Sequence, residues 1–444
     1  MSPWAVTTSD LGVDDGKIAA VGPNLSGRTE IDATGLLVLP GAIDAHTHMA
    51  LPVAGTQSSD DFLSGSRAAA CGGVTTLVDF TVGAPERSIP EAIEQRIRDA
   101  ADSVIDYAFH GEVIGWNAGQ ESEFRDAVSL GVTSFKFYTA YEASGRRTSS
   151  ETLSAAFKAL ARINAVALVH AEDEGLIQSI SSRLSKADRS VMRTLAKARP
   201  DLCEQAAIST VAHIAREANC ALHIVHVSSG LGLDALRAAR SAGTAITGET
   251  CPQYLLLTRE DYDRPDGHLF SATPALRTGS DLSALWVGLR THDIDFVASD
   301  HCSFTRAQKT WHGSFEDLPY GLPGVETLLP LIHSEGVARG ILTLTDIPRL
   351  LSESPAKRYG LYPRKGTLEI GSDADIVLFD PNSTWEIDAN SLHMATDFSP
   401  YQGRTVMGRV TATICRGDIV FSEGRLEAKP GRGEYVFRQV RKRG

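Results

Sequence analysis

The chain has 444 residues, of which 42% are apolar and 22% charged, and its formal net charge is −12. The length suits a barrel of roughly 250–350 residues with a smaller module beside it, and the composition is that of a globular enzyme. The acidic balance excludes a general nucleic-acid partner, because backbone binding needs clustered Lys and Arg. We interpret the one basic run, at residues 438–444, as a solvated tail.

Neither a membrane segment nor a disulfide framework is indicated. No apolar run approaches the roughly 20 residues of a membrane helix. The first residues lack the basic and apolar stretches of a signal peptide. The six cysteines are scattered and form no CxxC pair. We therefore expect a cytoplasmic protein with no membrane partner.

Short apolar runs alternate with helix-like segments along most of the chain, a rhythm typical of βα units and a parallel sheet. Eight runs are predicted to be strands: 37–46, 76–80, 107–113, 133–138, 165–170, 221–227, 244–249 and 295–300. Helices are predicted between them, for example at 89–101 and 204–218. Eight such units predict an α/β fold, a (β/α)8 TIM-like barrel with its site at the C-terminal ends of the strands.

The two ends of the chain have a different pattern. Residues 1–36 and 366–428 contain short β runs broken by Gly and Asp turns, such as GKIAAVG and GRVTATICRGDIVFSEG. We expect both segments to build one small β-sandwich domain. The barrel, over residues 37–365, is then inserted between them, and residues 429–444 form a C-terminal tail.

Metal-ligand residues occur at the predicted strand ends. His46 and His48 are two apart and should face the same way on a strand. His170, His226 and Asp300 each follow an apolar run that predicts a buried strand. A single such residue is more often an ordinary polar group, but strand ends that deliver His and Asp to one barrel mouth indicate a shared site for zinc or a similar divalent ion.

Lys136 lies within SFKFY, which should be a barrel strand. A buried ammonium beside divalent cations is disfavoured by desolvation and by like-charge repulsion. One interpretation is a lysine whose head reaches the solvent at the barrel end. The other is a lysine converted by carbon dioxide into a carbamate, an anion able to bridge two metals.

These residues lie in segments that resemble the dihydropyrimidinases and D-hydantoinases of the amidohydrolase superfamily. The segments that carry the resemblance, over nearly the whole chain, are GAIDAHTHMALPVAG, SSDDFLSGSRAAACGGVTTLVDF, SFKFYTAY, VHAE, LHIVHVSSG, GETCPQYLLL, ASDHC, GLPGVETLLPLI and GTLEIGSDADIVLFDP. The resemblance implies a centre of two divalent metals, with zinc the expected ion. The implied ligands are His46, His48 and Asp300 for one metal, His170 and His226 for the other, and Lys136, as N6-carboxylysine, for both.

The resemblance also implies a reaction. A metal-bound hydroxide attacks the ring carbonyl of a dihydropyrimidine or a 5-substituted hydantoin, and the ring opens to an N-carbamoyl amino acid. Asp300 moves the proton to the leaving nitrogen, and Tyr141 donates a hydrogen bond to the developing oxyanion. Main-chain groups at Thr273 and Tyr320 hold the substrate, where family members usually have Ser and Asn. A homotetramer or homodimer is implied as well.

Of four other functions, two remain open and two are disfavoured. Dihydroorotase-like relatives carry an Arg shortly after the HxH pair to hold a carboxylate, and HTHMALP has none. Allantoinase and cyclic-imide hydrolase stay possible, because the loops that discriminate substrates have diverged. A non-catalytic scaffold of the dihydropyrimidinase-related type is disfavoured, since every expected ligand position is intact.

Overall fold

A computed structural model gives the structure of residues 6–440. The strands are β1 (Asp10–Asp14), β2 (Lys17–Gly22), β3 (Leu37–Pro40), β4 (Ala42–Thr47), β5 (Pro52–Val53), β6 (Thr56–Gln57), β7 (Val74–Phe80), β8 (Asp106–Glu112), β9 (Ser134–Tyr138), β10 (Val166–His170), β11 (Ala221–Ile224), β12 (Ile246–Thr250), β13 (Phe296–Val297), β14 (Ile376–Glu386), β15 (Thr405–Cys415), β16 (Asp418–Ser422) and β17 (Arg425–Leu426). The α-helices are α1 (Phe62–Cys71), α2 (Ile89–Asp99), α3 (Ser122–Ser129), α4 (Ser150–Arg162), α5 (Glu174–Ser181), α6 (Lys186–Arg189), α7 (Thr194–Ala198), α8 (Asp201–Ala218), α9 (Gly230–Ser241), α10 (Pro252–Leu256), α11 (Gly279–Arg290), α12 (Leu328–Ile332), α13 (Asp346–Pro348) and α14 (Ser354–Tyr359). None of the helices within residues 6–440 is both long and apolar enough to cross a membrane.

Eight strands form one parallel sheet, in the order β4, β7, β8, β9, β10, β11, β12, β13. Its two edges meet, because Thr47 forms a parallel bridge with His301 and the backbone N–H of Ser299 donates to Asp44 Oδ1 at 3.0 Å. The sheet is therefore a nearly closed barrel, as predicted. The carboxyl ends of its strands surround one mouth, which is where such barrels carry their sites.

Local sequence explains how the barrel is covered. Every residue of β7 and β9 is buried, as expected for parallel strands that are enclosed on both faces. Helix α2 begins with a capping box, in which the backbone N–H of Ser88 donates to Glu91 Oε2 at 3.0 Å and the backbone N–H of Glu91 donates back to Ser88 Oγ. Its Ala92 and Ile93 are buried.

The ends of the chain form a smaller antiparallel layer. Strands β3, β14, β15, β16 and β17 build a five-stranded sheet, and β1 and β2 form a hairpin. A bridge between Lys17 and Asp373 joins the hairpin to the segment before β14. Ile18 of the hairpin packs in a buried cluster with Ile376 and Ile414 of the sheet. The expected contribution of both termini to one β layer is confirmed.

The predicted strand 37–46 is wrong as a single element. Residues Leu37–Pro40 pair with β14 of the small sheet, and Ala42–Thr47 begin the barrel. The chain turns at Gly41, where an added Cβ would lie 2.1 Å from the hydroxyl of Thr75. The barrel therefore starts after Pro40 rather than at residue 37, because a Pro–Gly pair interrupts an apolar run that looks continuous.

Two other predicted strands end earlier than expected. Strand β11 stops at Ile224, before His226, and β13 stops at Val297, before Asp300. His226 has a φ of 40° and Asp300 a φ of 51°. These values lie in the left-handed region, which cannot continue an extended strand. Both side chains are thus presented by the first turn beyond a strand.

The prediction of a solvated C-terminal tail is wrong for Arg438. This residue is 2% exposed, and its guanidinium donates to Ser134 Oγ at 2.9 Å and to the carbonyl of Phe109. Val436 and Tyr107 are joined by a backbone hydrogen bond of 2.8 Å. The segment therefore packs against the barrel, and the rest of the basic run, residues 441–444, lies outside the described residues.

Candidate metal centre

His46, His48 and Asp300 converge at the barrel mouth. Asp300 Oδ1 lies 3.2 Å from His46 Nε2 and 3.4 Å from His48 Nε2, and the three side chains bring their ligand atoms within 4.8 Å of one another. Asp300 is slightly accessible, with a side chain 17% exposed, whereas His46 is buried at 1%. The structure therefore joins the first and last barrel strands at one candidate metal position.

His170 and His226 form the adjacent part of the site. The Nδ1 of His170 lies 3.0 Å from the Nε2 of His226, and the rings of His226 and His46 are centred 5.5 Å apart. The five predicted His and Asp ligands thus form one continuous cluster. Two neighbouring metal positions are consistent with this arrangement.

Lys136 lies in the same cluster and is 1% exposed. Its Nζ is 4.8 Å from the ring centre of Phe80 and 5.4 Å from that of Tyr138. Burial lowers the pKa of Lys136 to about 8, although the carboxylates of Asp300 and Glu249 act in the opposite direction. The lysine does not reach bulk solvent, so the alternative of a head group exposed at the barrel end is wrong.

Buried carboxylates orient two of the histidines. Glu249 is bonded to Nδ1 of His46 at 2.5 Å, which leaves Nε2 of that ring facing Asp300. Glu172 is bonded to Nε2 of His170 at 2.9 Å, which leaves Nδ1 of that ring facing His226. Such carboxylate partners fix the tautomer and orientation of metal-binding histidines. Neither glutamate is predicted as a site residue from the sequence, although Glu172 follows His170 by two positions in VHAE.

Arg199 extends this network towards Tyr141. It forms an ion pair with Glu172, with Nη2 and Oε2 at 2.5 Å, and its guanidinium carbon lies 5.2 Å above the ring centre of Tyr141. Burial acts to raise the pKa of Glu172, but Arg199 and His170 hold it below its usual range. Glu172 is therefore an anion at neutral pH.

Tyr141 lies beside the cluster in a fixed, unusual backbone conformation. Its φ is 73°, in the left-handed region, and its backbone N–H donates to Glu174 Oε2 at 2.8 Å. The ring centre is 4.8 Å from that of His170, and the hydroxyl is 2.5 Å from Thr273 Oγ1. Burial raises the pKa of Tyr141 to about 12, so the phenol keeps its proton and can donate a hydrogen bond.

Thr273 and Tyr320 belong to two segments that are tied together through Ser271. The backbone N–H of Gly321 donates to the carbonyl of Ser271 at 3.0 Å, and Ser271 Oγ donates to the carbonyl of Pro319 at 3.0 Å. The Tyr320 hydroxyl donates to the carbonyl of Phe315. Thr273 also contacts Tyr141, so the structure brings both predicted substrate-binding segments to the same wall of the site.

The donor atoms fit divalent metals. Among the described residues, His46 Nε2, His48 Nδ1 and His226 Nδ1 are buried and have no hydrogen-bond partner. Leaving such atoms unpaired costs free energy, and His46 Nε2 is the one of the three that faces Asp300, so it indicates a missing ligand at that position. Burial is the largest of the effects that lower the pKa of both His46 and His226. The rings are therefore neutral, the form that binds zinc and similar ions.

Known proteins match nearly the whole chain. The amidohydrolase family matches residues 37–420. D-phenylhydantoinase from Escherichia coli (strain K12) is 39% identical over 438 residues, which are 97% of this chain and 94% of that protein. The crystal structure of dihydropyrimidinase from Brevibacillus agri NCHU1002 has a TM-score of 0.97 at 33% identity and covers 100% of this chain and 97% of its own. L-hydantoinase (dihydropyrimidinase) from Arthrobacter aurescens has a TM-score of 0.91 at 30% identity, with 98% and 97% covered.

The barrel and the cluster of His and Asp at its mouth are those of a hydrolase with a candidate metal site at the strand ends. The chain belongs to the amidohydrolase family. It is an enzyme that hydrolyses cyclic amides, and the predicted relationship to dihydropyrimidinases and hydantoinases is confirmed.

Proposed function

We propose that this enzyme opens the ring of a dihydropyrimidine or a 5-substituted hydantoin and releases an N-carbamoyl amino acid. The observation that carries the proposal is the convergence of the predicted ligands with Tyr141, whose protonated hydroxyl lies beside the cluster. The relatives called D-phenylhydantoinase and dihydropyrimidinase support this substrate class.

Two zinc ions are the proposed cofactors. His46, His48 and Asp300 would hold one, and His170 and His226 would hold the other. When bound, such a pair supplies a water of lowered pKa and polarises the substrate carbonyl. Glu249 and Glu172 keep two of the ligand rings in the required tautomer.

Lys136, as N6-carboxylysine, would be a ligand of both metals in this proposal. Its neutral amine adds to carbon dioxide, forming one N–C bond and releasing one proton to solvent. The product is an anion with two oxygens, whereas a free ammonium would be repelled by the metals. Burial of Lys136 among the ligands supports this assignment, because the carbamate places negative charge where the ligands gather.

The protein's own groups move the proton and stabilise charge in this proposal. Asp300, which is partly accessible at the mouth, accepts the proton of the attacking water and delivers it to the ring nitrogen as the C–N bond breaks. Tyr141 donates its hydroxyl hydrogen to the carbonyl oxygen as negative charge develops there. The main chain at Thr273 and Tyr320 holds the ring amide. A preorganised hydrogen-bond donor to an oxyanion, as proposed for Tyr141, commonly lowers the activation barrier by about 3 kcal/mol.

A ring-opening assay tests the substrate class directly. The purified enzyme is offered dihydrouracil, hydantoin, 5-substituted hydantoins, allantoin and succinimide, and product is measured. We expect the highest kcat/KM with dihydrouracil or a hydantoin. Preferred turnover of allantoin or succinimide would instead identify an allantoinase or a cyclic-imide hydrolase. A homotetramer or homodimer and a cytoplasmic location remain predictions.

A further inference from the structure

We propose that Cys71, Glu326 and His393 form an additional binding site for a zinc-like divalent cation, separate from the catalytic centre. Within residues 6–440, two groups of three side chains bring possible metal-ligand atoms within 4.8 Å of one another. One is the His46, His48 and Asp300 group described above, and the other is this group, which we call the thiol cluster. The two groups share no residue.

The thiol cluster is assembled from three distant parts of the chain. Cys71 is the last residue of α1, Glu326 precedes α12, and His393 lies in the segment that leads to β15. A Cβ added at Gly72 would lie 2.6 Å from the carbonyl oxygen of Glu326. Only glycine therefore permits the close approach of the two backbones that places Cys71 beside Glu326.

Glu326 and His393 already hold two possible metal-ligand atoms next to each other. The backbone N–H of His393 donates to Glu326 Oε2 at 2.6 Å, and Nδ1 of the ring lies 2.8 Å from Oε1. The first contact fixes the carboxylate, so Oε1 and Nδ1 remain as adjacent ligand atoms. If the distance between Oε1 and Nδ1 widens by a few tenths of an ångström, both atoms can lie about 2.0–2.1 Å from one zinc ion.

The chemistry of the cluster favours zinc or cadmium over calcium and magnesium. One sulfur, one imidazole nitrogen and one carboxylate oxygen form a zinc-type donor set, whereas the hard cations take oxygen ligands. Binding replaces the thiol proton of Cys71, which goes to solvent, while His393 binds through Nδ1 as a neutral ring whose one N–H proton is on Nε2. Cys71 and Glu326 are each 7% exposed, but the His393 side chain is 35% exposed. The histidine therefore provides a path for entry and leaves room for water as a fourth ligand.

A thiolate ligand gives this site a signature that the proposed catalytic ligands lack. The full-length enzyme is stripped of metal and titrated with Cd²⁺ alone, while the ultraviolet charge-transfer absorption of cadmium–thiolate bonds and the bound metal per chain are recorded. We expect the absorption in the wild type and three bound ions per chain. Cys71→Ser should lose the absorption and one ion, and His393→Ala should weaken both.

Cys220→Ser is the matched control, because Cys220 is also buried and its thiol donates to the carbonyl of Ala221. It should retain the absorption and all three ions. Absence of the band in the wild type would overturn the proposal, as would its persistence in folded Cys71→Ser. Cys251 is buried and directly follows β12, two residues after Glu249 of the catalytic cluster. Loss of the band in Cys251→Ser together with retention in Cys71→Ser would therefore place the thiolate at the catalytic centre instead. The thiolate band depends neither on turnover nor on the number of ions at the proposed catalytic centre, so its outcome stands apart from the proposed reaction.

Discussion

Replacing Tyr141 with Phe separates its role in the reaction from its role in packing. The change removes one hydroxyl and the hydrogen bond with Thr273 Oγ1, whose net contribution to stability is about 1 kcal/mol. The ring contacts with His170 and Arg199 remain. We expect kcat to fall by about 10²–10³, which corresponds to about 2.7–4 kcal/mol in the barrier, because the donor to the oxyanion is lost.

The assay is steady-state hydrolysis of the preferred hydantoin, with urea unfolding measured in parallel. Tyr138→Phe is the matched control, since this neighbouring tyrosine donates to Glu112 at 2.7 Å. That variant should lose more stability, about 1.5–3 kcal/mol, because it loses a hydrogen bond to a charged group. Its kcat should nevertheless stay within about tenfold of the wild-type value, because the lost donor lies outside the oxyanion site. If kcat of Tyr141→Phe is unchanged, or falls no further than in Tyr138→Phe, Tyr141 is a packing residue.

The remaining predictions concern Lys136, Arg199 and the substrate. Lys136→Ala should lose most of its metal and nearly all activity, with partial recovery of both in short carboxylic acids; full metal content by elemental analysis would refute the bridging role. Arg199→Met leaves the charge of Glu172 without its buried partner, so urea unfolding of the metal-free protein should show a loss of about 3 kcal/mol. The double variant Arg199→Met with Glu172→Gln should regain part of the lost stability. If it is no more stable than Arg199→Met alone, the pairing of Arg199 with Glu172 is contradicted. Dihydroorotate should not be opened at a measurable rate, because the segment HTHMALP has no Arg shortly after His48. Its preferred hydrolysis would contradict the substrate class.

The ligands and the barrel could be predicted from sequence because they follow from local patterns. An apolar run that ends in His or Asp indicates a buried strand with a polar residue at its end, and parallel strands bring such ends together. His46, His170 and Asp300 were found in this way. The exact ends of β11 and β13 could not be predicted, because the left-handed backbone at His226 and Asp300 depends on tertiary contacts that fix it.

The partners of the ligands were harder to find. Glu249 and Arg199 act through side-chain contacts with residues far away in the chain, and nothing in their own neighbourhood indicates those contacts. Arg438 shows the same limit, since a basic residue in a basic run predicts exposure. Here its charge is buried against backbone and hydroxyl acceptors of the barrel, so local polarity gave the wrong environment.

Metal content measured together with activity tests the two-metal account most directly. The enzyme is purified with and without exhaustive chelation, and bound divalent ions and hydantoin hydrolysis are determined on the same samples. Cys71→Ser serves as the reference, because it lacks the thiol cluster but retains every proposed catalytic ligand. We predict close to two ions per chain in active Cys71→Ser, loss of activity on chelation and its return on addition of zinc with bicarbonate. Full activity in protein freed of metal would contradict the account.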